Sequence, residues 1–238
     1  MSKVFCIGTW KTGTTSVGEA CNILVGGKHD GGGYFGPTTE EVTKEQLNSL
    51  MRSNIQEIVT RGGKLIAIEA EGDKDKIISF NTFDDMPWNK CKVIKALAEH
   101  FPNEKYVLTT RDENEWHNSA YNFYLQQTKL MKENKISYYD LPQSLYHIWG
   151  EEFKYILGSD LNMSPLLQQD FSGMIKHKSI WLRWFRKRNE YVKSLFNPKN
   201  LLEINISQKV EWEPICKFLD KPTPDQPFPF KNVNNTAF

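Results

Sequence analysis

The residues best suited to chemistry stand near the N-terminus, where Gly8-Thr9-Trp10-Lys11-Thr12-Gly13-Thr14-Thr15 follows a short apolar run and opens an apolar-periodic stretch. Small residues at a strand-to-helix turn let backbone N–H groups approach an anion, and the positive end of the helix dipole adds to the attraction. The chemistry indicated is phosphate binding. Lys11, Thr12, Gly13, Thr14, Thr15 and Ser16 are the candidate binding residues of this loop. The loop departs from that of nucleoside triphosphatases, in which Lys directly follows the second Gly. Here Thr14 holds that place, and Lys11 lies two residues upstream of Gly13. A lysine so displaced meets an anion placed differently from the terminal phosphates of ATP.

A second group is Tyr106-Val107-Leu108-Thr109-Thr110-Arg111-Asp112, a strand-like run ending in arginine, with Ser119 eight residues beyond Arg111. A guanidinium at a strand tip offers a planar fork of donors to phosphate, and a hydroxyl about two turns along the next helix can close on the same anion. The competing role for Arg111 is an ion pair with Asp112 or Glu115.

These groups need elements to hold them. Residues 3–7 predict a strand and 15–24 a helix, with the turn at Gly13 between them. Residues 26–36 contain six of the fifteen glycines and predict a loop. Apolar residues at helical spacing predict one helix over 43–60, stopped by Arg61-Gly62-Gly63, then short strands at 65–68 and 77–80. A helix over 89–100 and a strand over 105–110 form the next unit. Helices follow at 114–132, 144–157 and 180–196, then a strand at 200–206, a helix at 211–219 and an extended tail after Pro222. The expected fold class is α/β, a P-loop-type parallel sheet flanked by helices in a single domain over residues 1–238, with its site at the carboxyl ends of the strands.

Composition narrows the function. With 30 Lys and Arg against 29 Asp and Glu, the net charge of +1 supplies no global field for nucleic acid or an anionic membrane. No run is long enough for a signal-peptide core or a membrane span, so the expected protein is soluble and cytoplasmic. Cys6, Cys21, Cys91 and Cys216 lack metal-site spacing and predict buried, reduced thiols. Lys176-His177-Lys178 and Arg183-Trp184-Phe185-Arg186-Lys187-Arg188 fit a core-packed helix with a solvated basic face better than a nucleic-acid surface. The aromatic residues between Tyr121 and Tyr155 fit an acceptor pocket or lid and core packing equally well.

Lys11-Thr12-Gly13-Thr14-Thr15 resembles the 5′-phosphosulfate loop of P-loop sulfotransferases, and Arg111 with Ser119 resembles their 3′-phosphate pair. Asp84-Asp85-Met86-Pro87-Trp88, Asn189-Glu190-Tyr191-Val192, Trp212-Glu213-Pro214-Ile215-Cys216-Lys217-Phe218-Leu219 and Pro227-Phe228-Pro229 extend the likeness over nearly the whole chain. Glu211 stands where that family usually has Gly, and no Arg-Lys-Gly triplet is present, so Lys231 becomes the candidate substitute. The resemblance implies 3′-phosphoadenosine 5′-phosphosulfate (PAPS) as donor, 3′-phosphoadenosine 5′-phosphate (PAP) as product, no required metal, and a small-molecule or glycan hydroxyl or amine as acceptor. Lys11 would neutralise the leaving phosphate. Asp85 occupies the place of the family's catalytic His, with Asp84, Glu69 and His117 as competitors and helix N-capping as its alternative role. The alternative functions are a P-loop nucleotide kinase or NTPase and a non-catalytic nucleotide-binding protein of the same fold.

Overall fold

The structure is a computed structural model that describes residues 2–30, 40–51, 55–61, 64–69, 80–134, 141–166 and 172–230. In chain order the elements are β1 (Val4–Cys6), α1 (Thr14–Val25), β2 (Lys28–Asp30), α2 (Lys44–Leu50), β3 (Ile55–Arg61), β4 (Lys64–Glu69) and β5 (Thr82–Asp84). They continue with α3 (Cys91–His100), β6 (Lys105–Thr110), α4 (Glu113–Asn134), α5 (Leu141–Leu157), α6 (Ser172–Lys176), α7 (Lys178–Leu195), β7 (Leu201–Asn205) and α8 (Trp212–Leu219).

Five strands form a parallel sheet in the order β2-β5-β1-β6-β7. Alternation along the strands sends their side chains to two cores, as a sheet covered on both faces requires. Phe5 and Ile7 of the β1 segment, with Tyr106 and Leu108 of β6, pack against α2, α3 and α7 through Leu47, Val93, Leu97 and Val192. Val4, Cys6 and Val107 point the other way, onto Val17 and Cys21 of α1 and Ile215 and Cys216 of α8. A third core lies among α4, α5, α6 and α7 and gathers Trp10, Trp116, Trp149, Trp181 and Trp184. All four cysteines are buried and free, as their spacing suggested. Among the described residues no helix is long and apolar enough to cross a membrane.

The α/β architecture matches expectation, and β6 keeps its predicted bounds. Three local readings are corrected. The predicted helix over 43–60 ends at Leu50, and Ile55–Arg61 is a strand paired antiparallel with β4. Its start was legible: Thr43 caps the backbone of Gln46 and Gln46 caps Thr43 in return, at 3.2 and 2.8 Å. Its end was misread, because Ile55, Ile58, Val59 and Thr60 are β-branched, and Arg61 pairs with Lys64 across Gly62-Gly63, a two-residue hairpin signal rather than a helix stop. Second, Lys28–Asp30 inside the glycine-rich stretch is a strand, held by parallel pairing to β5 that no local composition reveals. Third, β5 itself was missed, three residues long and made by its neighbours on both sides. The strand predicted at 77–80 lies outside the described residues except for Phe80, which is not in a strand.

Candidate functional site

The carboxyl ends of β1, β5, β6 and β7 open into one cavity of about 740 Å³, within the range of small-ligand sites. Its floor is the Gly8–Thr14 turn. Lys11 (φ 60°) and Gly13 (φ 77°) are both left-handed, with Thr12 between them. Such alternation curls successive backbone N–H groups into an anion-binding concavity. Gly13 is the N-cap of α1 and brings no side-chain cap, and the first turn of the helix carries no acid. The orphan donors of that turn are therefore turned to the cavity, which Thr14, Thr15 and Ser16 line. Thr12 does a different job. It is fully buried, donates its hydroxyl to Thr9 O at 2.5 Å, and accepts from the Thr109 hydroxyl at 2.8 Å, bracing the turn against β6.

Lys11 lies over the Phe123 ring, its Nζ 4.9 Å from the centroid. Burial, and then the charge of Arg111, hold its ammonium below the usual lysine pKa. The two cations share one cavity and repel each other there. Arg111 follows β6, lines the cavity, and donates from Nε to Glu115 Oε2 at 3.2 Å. The Ser207 hydroxyl donates to the same oxygen at 2.8 Å and accepts from Asp112 N at 2.9 Å. Arg111 thus makes the ion pair with Glu115 that was its competing role, and it also lines the cavity. Ser119, two turns along α4, lines the same space.

Asp85 also lines the cavity, in a left-handed turn after β5 (φ 59°). It does not cap α3, whose N-cap position is Lys90. The Asp85 carbonyl accepts from Asn89 N at 3.2 Å and its Oδ1 accepts from Asn89 Nδ2 at 3.4 Å. Of its competitors, Asp84 is buried outside the lining. His117 is buried as well and donates from Nε2 to Met174 O at 2.9 Å. The side chain of Glu69, and Lys231 entirely, lie outside the described residues.

A family model described as Sulfotransferase domain matches residues 3–237. The chain belongs to the sulfotransferase family. Among curated proteins it is similar to "Ava biosynthesis cluster protein M" of Aspergillus versicolor, 26% identical over 166 residues, which are 66% of this chain. The match spans 56% of that protein's length.

The lining includes residues the sequence reading passed over. Asn118 and Asn122 join Glu115, Ser119 and Phe123 on one face of α4; Asn122 lies three residues after Ser119 and four after Asn118, so helical spacing would have found both. Ile206 and Val210 follow β7, and Phe228 and Phe230 reach back from the tail, which only tertiary structure shows. The basic segment is also only partly solvated: Arg183, Arg186 and Lys187 are exposed, but Arg188 is completely buried. The aromatic segment divides, with Tyr124, Trp149 and Phe153 in the core and Phe123 on the cavity.

Behind the wall, Lys90 is 2% exposed, its Nζ 4.4 Å from the centroid of the Trp149 ring and without a hydrogen bond among the described residues. Burial lowers its pKa from 10.5 to about 8, the charge of Glu152 opposing the drop. Between those values the unfolded chain holds a proton that the folded chain has shed, so this group raises stability as pH rises through that window. Chemical denaturation at pH 7.5 and 9.5 checks it: the stability of Lys90→Met relative to the parent should fall between the two, and a constant difference contradicts the assignment.

Proposed function

We propose that this sulfotransferase moves a sulfuryl group from PAPS to the hydroxyl or amine of a small-molecule or glycan acceptor, releasing PAP. The observation that carries the reading is the meeting, in one cavity, of two anion-seeking groups from separate elements: Lys11 with the uncapped α1 N-terminus, and Arg111 with Ser119. A nucleotide with phosphates at both its 5′ and 3′ positions would occupy both, whereas ATP has nothing for the second. When bound, the donor supplies the activated sulfuryl group and a bisphosphate leaving group.

The chain's own residues supply the rest. Lys11 and the N–H groups of Thr14, Thr15 and Ser16 place fixed positive charge where the leaving 5′-phosphate gains negative charge, which costs no reorganisation during reaction. Arg111 and Ser119 hold the 3′-phosphate and so fix the position of the nucleotide. Asp85, which lines the cavity, takes the acceptor proton, and Trp10, Phe123 and Phe230 offer apolar surface to the rest of the acceptor. Lys231, next to Phe230 in the chain, is assigned as a further 3′-phosphate contact. No role in this scheme calls for a metal ion, and the reading places the protein in the cytoplasm.

Calorimetry with PAP and adenosine 5′-phosphate tests the proposal. The parent should bind PAP at least about tenfold more tightly, roughly 1.4 kcal/mol, and Arg111→Gln should remove the difference. Absence of PAP binding, or equal affinity for the two nucleotides in the parent, overturns it.

A further inference from the structure

We infer that Arg188 and Asn89 form a strut that fixes Asp85 relative to the phosphate-binding turn, so that Arg188 is a positioning residue of the site although it does not line the cavity. The inference rests on the assignment of Asp85 as the group that acts on the acceptor. Arg188 lies in α7 and is completely buried. One nitrogen, Nη2, donates to two carbonyls: Ile7 O at 2.7 Å and Asn89 O at 3.0 Å. Ile7 immediately precedes Gly8 at the exit of β1, and Asn89 sits in the segment that leaves β5. Asn89 then makes both of the contacts to Asp85 described above, one to its carbonyl and one to its carboxylate.

The placement answers a geometric need. β1 and β5 are paired through Val4–Thr82 and Phe5–Phe83, and beyond that register their chains part, toward α1 on one face of the sheet and α3 on the other. Past the parting no ladder hydrogen bond can hold the two exits together. A guanidinium has donors enough to bridge them, and its burial is costly unless those donors are used. Here Nη2 is used on the carbonyls at the roots of the two segments that carry Lys11 and Asp85, while Nε has no hydrogen-bond partner among the described residues. A buried arginine serving only the core would have no reason to select that pair. Nη1 adds a bond to Asn189 Oδ1 at 3.3 Å, which fixes the orientation of the plane.

Titration of the Asp85 carboxyl, followed by carbon-13 NMR in the parent, Asn89→Ala and Arg188→Lys, with Asp85→Asn assigning the resonance, tests the strut. Asp85 is faced by Lys90 from its own segment and by Lys11, Arg111 and Glu115 across the cavity, and both variants keep all four. Losing a donor to the carboxylate should raise the midpoint in Asn89→Ala by about half a unit or more, and Arg188→Lys should move it in the same direction. PAP affinity should stay within about twofold in Asn89→Ala, which leaves both the phosphate contacts and the Arg188–Ile7 bond in place. An unmoved midpoint in either variant, or a tenfold loss of PAP affinity in Asn89→Ala, overturns the inference. If Arg188→Lys does not fold, the Asn89→Ala arm decides. A parent that fails to bind PAP removes the donor reading and leaves the titration result standing on its own.

Discussion

Replacing Lys11 with alanine lowers the rate of PAP release from PAPS by about a hundredfold to a thousandfold, the range for loss of one preorganised charge-stabilising donor. The same variant melts no lower than the parent. The two halves of this expectation share a cause. Lys11 is partly desolvated and is repelled by Arg111, so without a bound anion its charge opposes the folded state. Its contact with the Phe123 ring offsets part of that cost. The left-handed backbone at position 11 penalises lysine and alanine alike, so the substitution adds no backbone strain. A residue kept where it does not stabilise the empty protein must act on what enters. A release rate within about threefold of the parent would refute the catalytic assignment, and a marked fall in Tm would identify Lys11 as structural.

Gly8→Ala produces the largest expected structural effect. A methyl group on Gly8 would lie 1.8 Å from Thr109 Oγ1, 2.7 Å from Thr12 Oγ1 and 2.8 Å from Thr109 O. The first two contacts are the hydroxyls that brace the turn against β6, and the third is backbone that cannot rotate away. The exit of β1 must then move from β6, breaking the Thr12–Thr109 contact and straining the Ile7 N to Val107 O bond at 2.9 Å. Overpacking of this kind costs about 3 kcal/mol, equivalent to a Tm lower by roughly 6–12 °C in a chain of this size. Calorimetric melting checks it, with PAP binding as the second readout. A Tm within about 2 °C of the parent and undiminished binding would show that the turn gives way freely.

The parts of the fold legible in the sequence were those whose cause is local. Residues 105–110 centre on the strand-forming run Tyr106-Val107-Leu108-Thr109-Thr110, and Arg111 follows it, so both the strand and the residue at its tip could be read directly. The Gly13 turn and the helix after it were readable for the same reason. What escaped was made by partners. Thr82–Asp84 is a strand because β1 and β2 flank it, and Lys28–Asp30 is one because β5 does. Ile55–Arg61 carried helical spacing and β-branched residues together, and pairing with β4 decided between them. Asp85 was offered only by the family resemblance, through its place before Pro87, and the tie between Asn89 and Arg188 was not legible, because it runs through a main-chain carbonyl, which no side-chain pattern reports. The tail residues Phe228 and Phe230 reach the cavity only once α8 has turned the chain back.

Trp10 has two memberships, and that duality bears on how this chain can diversify. It lines the cavity, and it also packs against Trp116, Trp149, Trp181 and Trp184, at ring separations from 3.7 to 6.5 Å. A change there to suit a new acceptor would oblige four other indoles to repack, so drift at this position is tied to the lineage of the whole helical core. Asn122 and Phe230 carry no such debt, since both are exposed. Selection on what the cavity accepts can therefore act through those two while selection on persistence of the fold acts elsewhere, and Trp10 is the point at which the two pressures cannot be separated.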